Sequence, residues 1–245
     1  MLFEWYTTIM DYQWQTYGHE RVKRILGLQQ QANKVPHAYL FSGPNGIGKK
    51  MLALEFAARL QNSDSLKGHP DVHLFDAEIS SGVESIRQFV HRLTTKPFVG
   101  PYTIGLIDNV EQLTREAANA LLKTLEEPKS SVVIFLIASG NSVLPTIASR
   151  CQTFSFNRFT AHQLNDFVIA SKIEAGADLM KLCAGRPGLL MRLREDSEYA
   201  ERVQNLVGQF SSLRTQSLSS TLPMLSILAE KESKDLAESL SLWLD

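Results

Sequence analysis

The segment Gly43-Pro44-Asn45-Gly46-Ile47-Gly48-Lys49-Lys50 carries the side chains best suited to chemistry. Its glycines let backbone amides converge on phosphate oxygens, and a helix starting at about Lys49 adds the positive end of its dipole. The Lys49 ammonium then reaches the outer phosphates. This is the pattern of a phosphate-binding loop as far as its lysine, which makes Gly43, Asn45, Gly46, Gly48, Lys49 and Lys50 the candidate nucleotide-binding residues. A glycine-rich turn without a ligand is the alternative reading. The last position of such a loop normally holds Ser or Thr, whose hydroxyl coordinates magnesium, and here it is Lys50. A second ammonium offsets phosphate charge but is no metal ligand.

Asp108 ends an apolar run, where a second metal-organising carboxylate belongs, although an Asp that caps a loop fits the same position. Its neighbour is Asn109, whose amide cannot take a proton from water as a general base does. A site missing both the hydroxyl and the base is expected to hydrolyse poorly, so any ATP or ADP it takes is held without hydrolysis.

The elements that position these residues follow from periodicity. Residues 19–33 read as a helix with Val22, Ile25, Leu26 and Leu28 on its apolar side, ended by Pro36. Residues 38–42 form a short apolar strand, and 51–60 continue the helix after the loop. A second strand is expected at 72–75 and a helix at 83–93. A strand at 102–107 ends at Asp108, and Thr114 caps a helix from Arg115 to Glu127, closed by Pro128. Strands at 132–138 and 152–156 complete about five. Their nearly continuous apolar content predicts an α/β domain whose parallel sheet is covered on both faces. After it, Thr160 and Gln163 form a capping-box pattern, and the chain turns helical, interrupted at Gly176 and at Gly185-Arg186-Pro187-Gly188. The expected domains are 1–159, 160–197 and 198–245.

The chain has 245 residues with 25 Lys plus Arg against 26 Asp plus Glu, a net charge of -1. That balance argues against a surface that wraps nucleic acid on all sides and leaves local patches open. Arg115 and Lys123 are such candidates, equally readable as a solvated helix face. Two cysteines, Cys151 and Cys183, are too few for a four-thiolate zinc site or a disulfide framework. The seven-residue run 132–138 is far short of the roughly 20 residues a membrane-spanning helix needs. Residues 1–19 carry Glu4 and Asp11 but no Lys or Arg, so the cationic start of a secretion signal is missing. No membrane association and a reducing cytoplasmic location are expected.

Three longer blocks carry a resemblance: residues 37–44 (His-Ala-Tyr-Leu-Phe-Ser-Gly-Pro), residues 113–128 (Leu-Thr-Arg-Glu-Ala-Ala-Asn-Ala-Leu-Leu-Lys-Thr-Leu-Glu-Glu-Pro) and residues 144–151 (Leu-Pro-Thr-Ile-Ala-Ser-Arg-Cys). Gly18-His19-Glu20 looks like a variant of Gly-Gln-Glu. Together they resemble the clamp-loader subunits of bacterial DNA polymerase III, a branch of the AAA+ proteins, and the retired phosphate loop is most like the delta prime type. The resemblance implies an AAA+ domain, a small helical lid and a helical collar in an open ring of five subunits. ATP would lie between neighbours, and Arg150, by its match to Ser-Arg-Cys, would be donated to the adjacent site, where a permanent guanidinium stabilises charge on a transferring phosphate. The implied partners are gamma/tau and delta type subunits, the sliding clamp and primed DNA.

The same resemblance marks departures. Ser139 is a weak match to the first nucleotide sensor, and Gly188 stands where active members have a second-sensor arginine, with Arg186 two residues early. Relatives carry a four-cysteine zinc module in the region that here spans 61–71 without a cysteine, so no zinc is expected and His69 reads as structural. The collar, from about 199 to a last patch at 240–245, looks truncated or divergent. Two other functions remain open at this point: an autonomous DNA-dependent AAA+ ATPase, and a phosphate-loop-derived adaptor outside replication.

Overall fold

A computed structural model of the chain describes residues 14–129, 131–140 and 143–203. Glu4, Asp11 and the collar-like segment beyond 203 lie outside the described residues. Those within 1–44 and 48–157 form one compact unit, and those within 45–47 and 158–245 a second.

In the first unit, helix α1 (Glu20–Gln31) leads into strand β1 (Ala38–Gly43), and α2 (Lys49–Leu60) into β2 (Val72–Asp76). Helix α3 (Val83–Leu93) precedes β3 (Thr103–Asp108), and α4 (Arg115–Glu126) precedes β4 (Val132–Ser139). A four-residue helix α5 (Pro145–Ala148), too short to leave a periodic signature, precedes β5 (Gln152–Ser155). The five strands form one sheet in the order β2-β3-β4-β1-β5, with every pairing parallel. This is the expected α/β architecture, followed by further helices.

Alternation along the central strands divides two cores. Ala38 and Leu40 of β1 and Val132, Ile134, Leu136 and Ala138 of β4 pack with α3 and α4 through Ile86, Phe89, Leu121 and Leu125. The intervening residues carry aromatics on the other face. Tyr39 stacks on Phe135 at 5.2 Å between centroids and meets Phe56 of α2 edge-on at 5.8 Å. Phe56 and Phe135 are fully buried, each contributing about 2 kcal/mol by removal from water.

Helix ends follow their chemistry. The Thr114 side chain accepts the Ala117 N–H at 3.2 Å. In α1 the apolar side is narrower than the sequence indicates. Leu28 is exposed, whereas Lys23 is buried, its ammonium held by the Thr16 carbonyl at 3.1 Å and Glu20 at 2.7 Å. Those partners make burial of the lysine affordable.

Before β3, the Asp71 carboxylate gathers three backbone amides: Phe98 N–H at 2.5 Å, Val99 at 2.7 Å and Gly100 at 2.8 Å. Burial alone would raise this carboxyl, but the three donors outweigh it and hold it below the usual carboxylate range. A lowered folded-state pKa means the unfolded chain binds the proton more readily. The stabilisation is therefore complete above the ordinary Asp value of about 4 and lost as pH falls through the lower folded value. Asp71→Asn is expected to cost about 2 kcal/mol at neutral pH, and the gap from the parent should close on acidification, as read by denaturant melts at stepped pH.

In the second unit α6 (Ala161–Ala170), α7 (Ala177–Cys183) and α8 (Pro187–Glu195) follow one another. Thr160 and Gln163 make the anticipated capping box. Among the described residues no helix is long and apolar enough to cross a membrane.

Candidate functional site

The loop after β1 enters α2 through three residues of positive φ, Gly43 at 150°, Gly46 at 74° and Gly48 at 97°. At Gly43 the requirement is steric as well, because a Cβ there would run into the backbone carbonyl oxygen of Phe156. Lys49 is 4 % exposed, and its ammonium donates to the Gly43 carbonyl at 2.7 Å and the Pro44 carbonyl at 2.6 Å. Asn45 lies at the tip of the loop, in the segment that groups with the second unit.

Lys50 is the second residue of α2, and its ammonium sits 2.9 Å from Asp108 Oδ2. The other carboxylate oxygen accepts the Asn109 N–H at 3.1 Å. Asn109 itself takes a left-handed conformation, φ 52°, and its side-chain amide donates to Asp76 Oδ1 at 2.9 Å. It braces the ends of β2 and β3 and has no basic group to offer water. Magnesium does not fit these residues. The hydroxyl ligand is replaced by an ammonium, and that ammonium occupies the carboxylate a metal would need.

Ser139 ends β4 in register with Gly43, and its N–H donates to Glu111 Oε1 at 3.1 Å. Glu111 had no signal in the sequence, lying 28 residues from its partner. Within the second unit, the Gly188 N–H donates to the Gly46 carbonyl at 2.6 Å, and a Cβ at 188 would lie 2.7 Å from that oxygen. A side chain there would strike the loop backbone, so an arginine at this position is excluded by the packing. Arg186 is buried at 1 % exposure.

Arg150 lies in the turn between α5 and β5. Its guanidinium pairs with Glu126 Oε1 at 2.5 Å and donates to the Thr146 carbonyl at 2.8 Å. It is one-third exposed and borders a hollow of about 670 Å³ lined also by His37, Leu125, Glu126, Ser149 and Cys151. Because β1 and β5 run parallel with Tyr39 opposite Gln152, Arg150 precedes its strand at one rim of the sheet while the phosphate loop follows β1 at the other. The two cannot meet within one chain. Glu126 as the arginine's partner was not apparent in the sequence, where 24 residues separate them.

Other expectations have a plain structural outcome. His69 Nδ1 accepts the Asp71 N–H at 3.2 Å, a local turn contact. Arg115 and Lys123 lie on the exposed face of α4. Burial pushes the Cys151 thiol up to about 12 and, against the opposing charge of Arg186, the Cys183 thiol also to about 12. Both stay protonated near neutrality, so iodoacetamide labelling at pH 8 is expected to be slow until denaturant is added.

The sequence between residues 18 and 160 matches the protein family described as DNA polymerase III, delta subunit. The DNA polymerase III subunit tau of Bacillus subtilis is 32% identical over 188 residues, covering 68% of this chain and 33% of that protein. The tau/gamma subunit of Haemophilus influenzae is 34% identical over 165 residues, 60% of this chain and 24% of that one. The chain thus spans a third or less of the length of these curated relatives. Among solved structures, a gamma subunit-related protein of Thermotoga maritima aligns with a TM-score of 0.52 and 25% identity, over 87% of this chain and 68% of the other. With the match extending over more than half its residues, the chain belongs to the DNA polymerase III delta subunit family, among the bacterial clamp-loader-related AAA+ proteins.

Proposed function

We propose that this chain is a delta prime-like subunit of a DNA polymerase III clamp loader. It works with gamma/tau and delta type subunits so that ATP hydrolysed at a neighbouring site drives loading of the sliding clamp onto primed DNA. Its own loop, residues Gly43 to Lys50 with Asp108, contributes little or no hydrolysis. Arg150 is donated across the subunit junction, where its fork neutralises charge on the transferring phosphate. The same reading takes 1–159 as the AAA+ domain, 160–197 as a small helical lid and 198–245 as a collar-like segment.

The observation that carries this reading is the separation of the two charged centres. Lys50 sits on Asp108 at one rim of the sheet, and Arg150, one-third exposed, stands at the other. A cation placed where its own phosphate loop is out of reach can serve a phosphate only on another chain.

The test is reconstitution with gamma/tau and delta type subunits and the clamp. Arg150→Ala is expected to join the assembly and to abolish most ATP turnover at the junction it serves. Unchanged turnover, or consistent failure of the parent chain to co-purify with those subunits, rejects the proposal.

A further inference from the structure

The misfit between this pocket and a divalent cation has a chemical consequence of its own. In a loop ending in Ser or Thr, the lysine and the strand-end carboxylate cancel, and magnesium supplies the extra positive charge. Here Lys49 and Lys50 stand with Asp108, three groups that sum to +1 with no metal, while Asp76, in register with Asp108 on β2, accepts the Asn109 side-chain amide. Lys50 supplies that charge from the position where the hydroxyl would hold the ion. Its side chain is 49% exposed and Asp108 only 16%, so the ammonium covers the carboxylate while facing outward. An ammonium has three N–H donors, and the one directed at Asp108 Oδ2 leaves others for a phosphate oxygen.

We propose that Lys50 is a built-in counter-cation and that this loop takes a nucleoside diphosphate free of divalent metal. A metal-free diphosphate carries more negative charge than its magnesium complex and so gains more from two neighbouring ammoniums. Magnesium brought in with the nucleotide is repelled by Lys50 and finds Asp108 already paired. This rests on the reading of the loop as a retired nucleotide site. It commits that site to a ligand state.

ADP is the probe, titrated by calorimetry into the full 245-residue chain in EDTA and in excess magnesium. The dissociation constant in EDTA is expected to equal or fall below that in magnesium, and ADP should raise Tm in EDTA. Lys50→Thr should weaken metal-free binding about tenfold or more and make binding magnesium-dependent. Lys50→Arg, which keeps the charge, should retain the parent's metal preference. Melting curves without nucleotide show whether each variant is folded, and Lys50→Gln stands in for the threonine variant should that one melt early. Absence of saturable ADP uptake, uptake that needs magnesium, or an unaltered affinity in EDTA after loss of the ammonium overturns the inference. None of these results bears on turnover at the Arg150 junction, so the two proposals fail separately.

Discussion

Replacing Arg150 by lysine is expected, if the residue is donated as proposed, to lower ATP turnover at the subunit junction by at least about a hundredfold, although the positive charge is kept. The expectation follows from geometry. The guanidinium already uses two edges at once, on Glu126 and on the Thr146 carbonyl, and a planar fork can exchange such contacts for two phosphate oxygens without losing alignment. A lysine ammonium is a point charge on a flexible stem and would remain on Glu126. The measurement uses reconstituted assemblies in which the remaining sites carry a disabling change of their own loop lysine, so that only this junction turns over. Because Arg150 is one-third exposed and its ion pair lies at the surface, the isolated variant should melt within about 1 kcal/mol of the parent. A lysine variant that turns over normally would show that the position supplies charge alone, or nothing.

Gly43→Ala is expected to destabilise the first unit by about 4 kcal/mol, lowering Tm by about 10 °C. Two costs coincide. The residue sits at φ 150°, outside the range an L side chain accepts, and the added methyl group would collide with the Phe156 carbonyl oxygen. That oxygen belongs to backbone rather than to a flexible side chain. Nearby, the Phe156 N–H is bonded to the Ser42 carbonyl at 2.7 Å, so moving one strand strips the other. Thermal melts followed by far-UV circular dichroism check the value. A variant as stable as the parent would mean that β1 and β5 separate here at little cost.

The sheet was largely legible because each strand is a continuous apolar run, and such runs belong to parallel strands buried on both faces. The cap at Thr114 and the box at Thr160 were legible for a similar reason: their partners lie three residues away. Long-range pairings were not. That Lys50 lacks a hydroxyl can be read directly, but that its ammonium lands on Asp108 depends on β4 lying between β3 and β1. Nor was the burial of Lys23, which depends on the Thr16 carbonyl and on Glu20. Helix α5 was missed since four residues complete barely one turn.

The placement of Arg150 and the phosphate loop at opposite rims of one parallel sheet makes the chain a vectorial building block. In a two-fold dimer the Arg150 rim of each copy would have to face the loop rim of the other across one self-complementary patch. Head-to-tail stacking instead repeats one Arg150-to-neighbour contact, as the proposed donation requires, and closes into a ring or winds into a filament according to the rotation at each step.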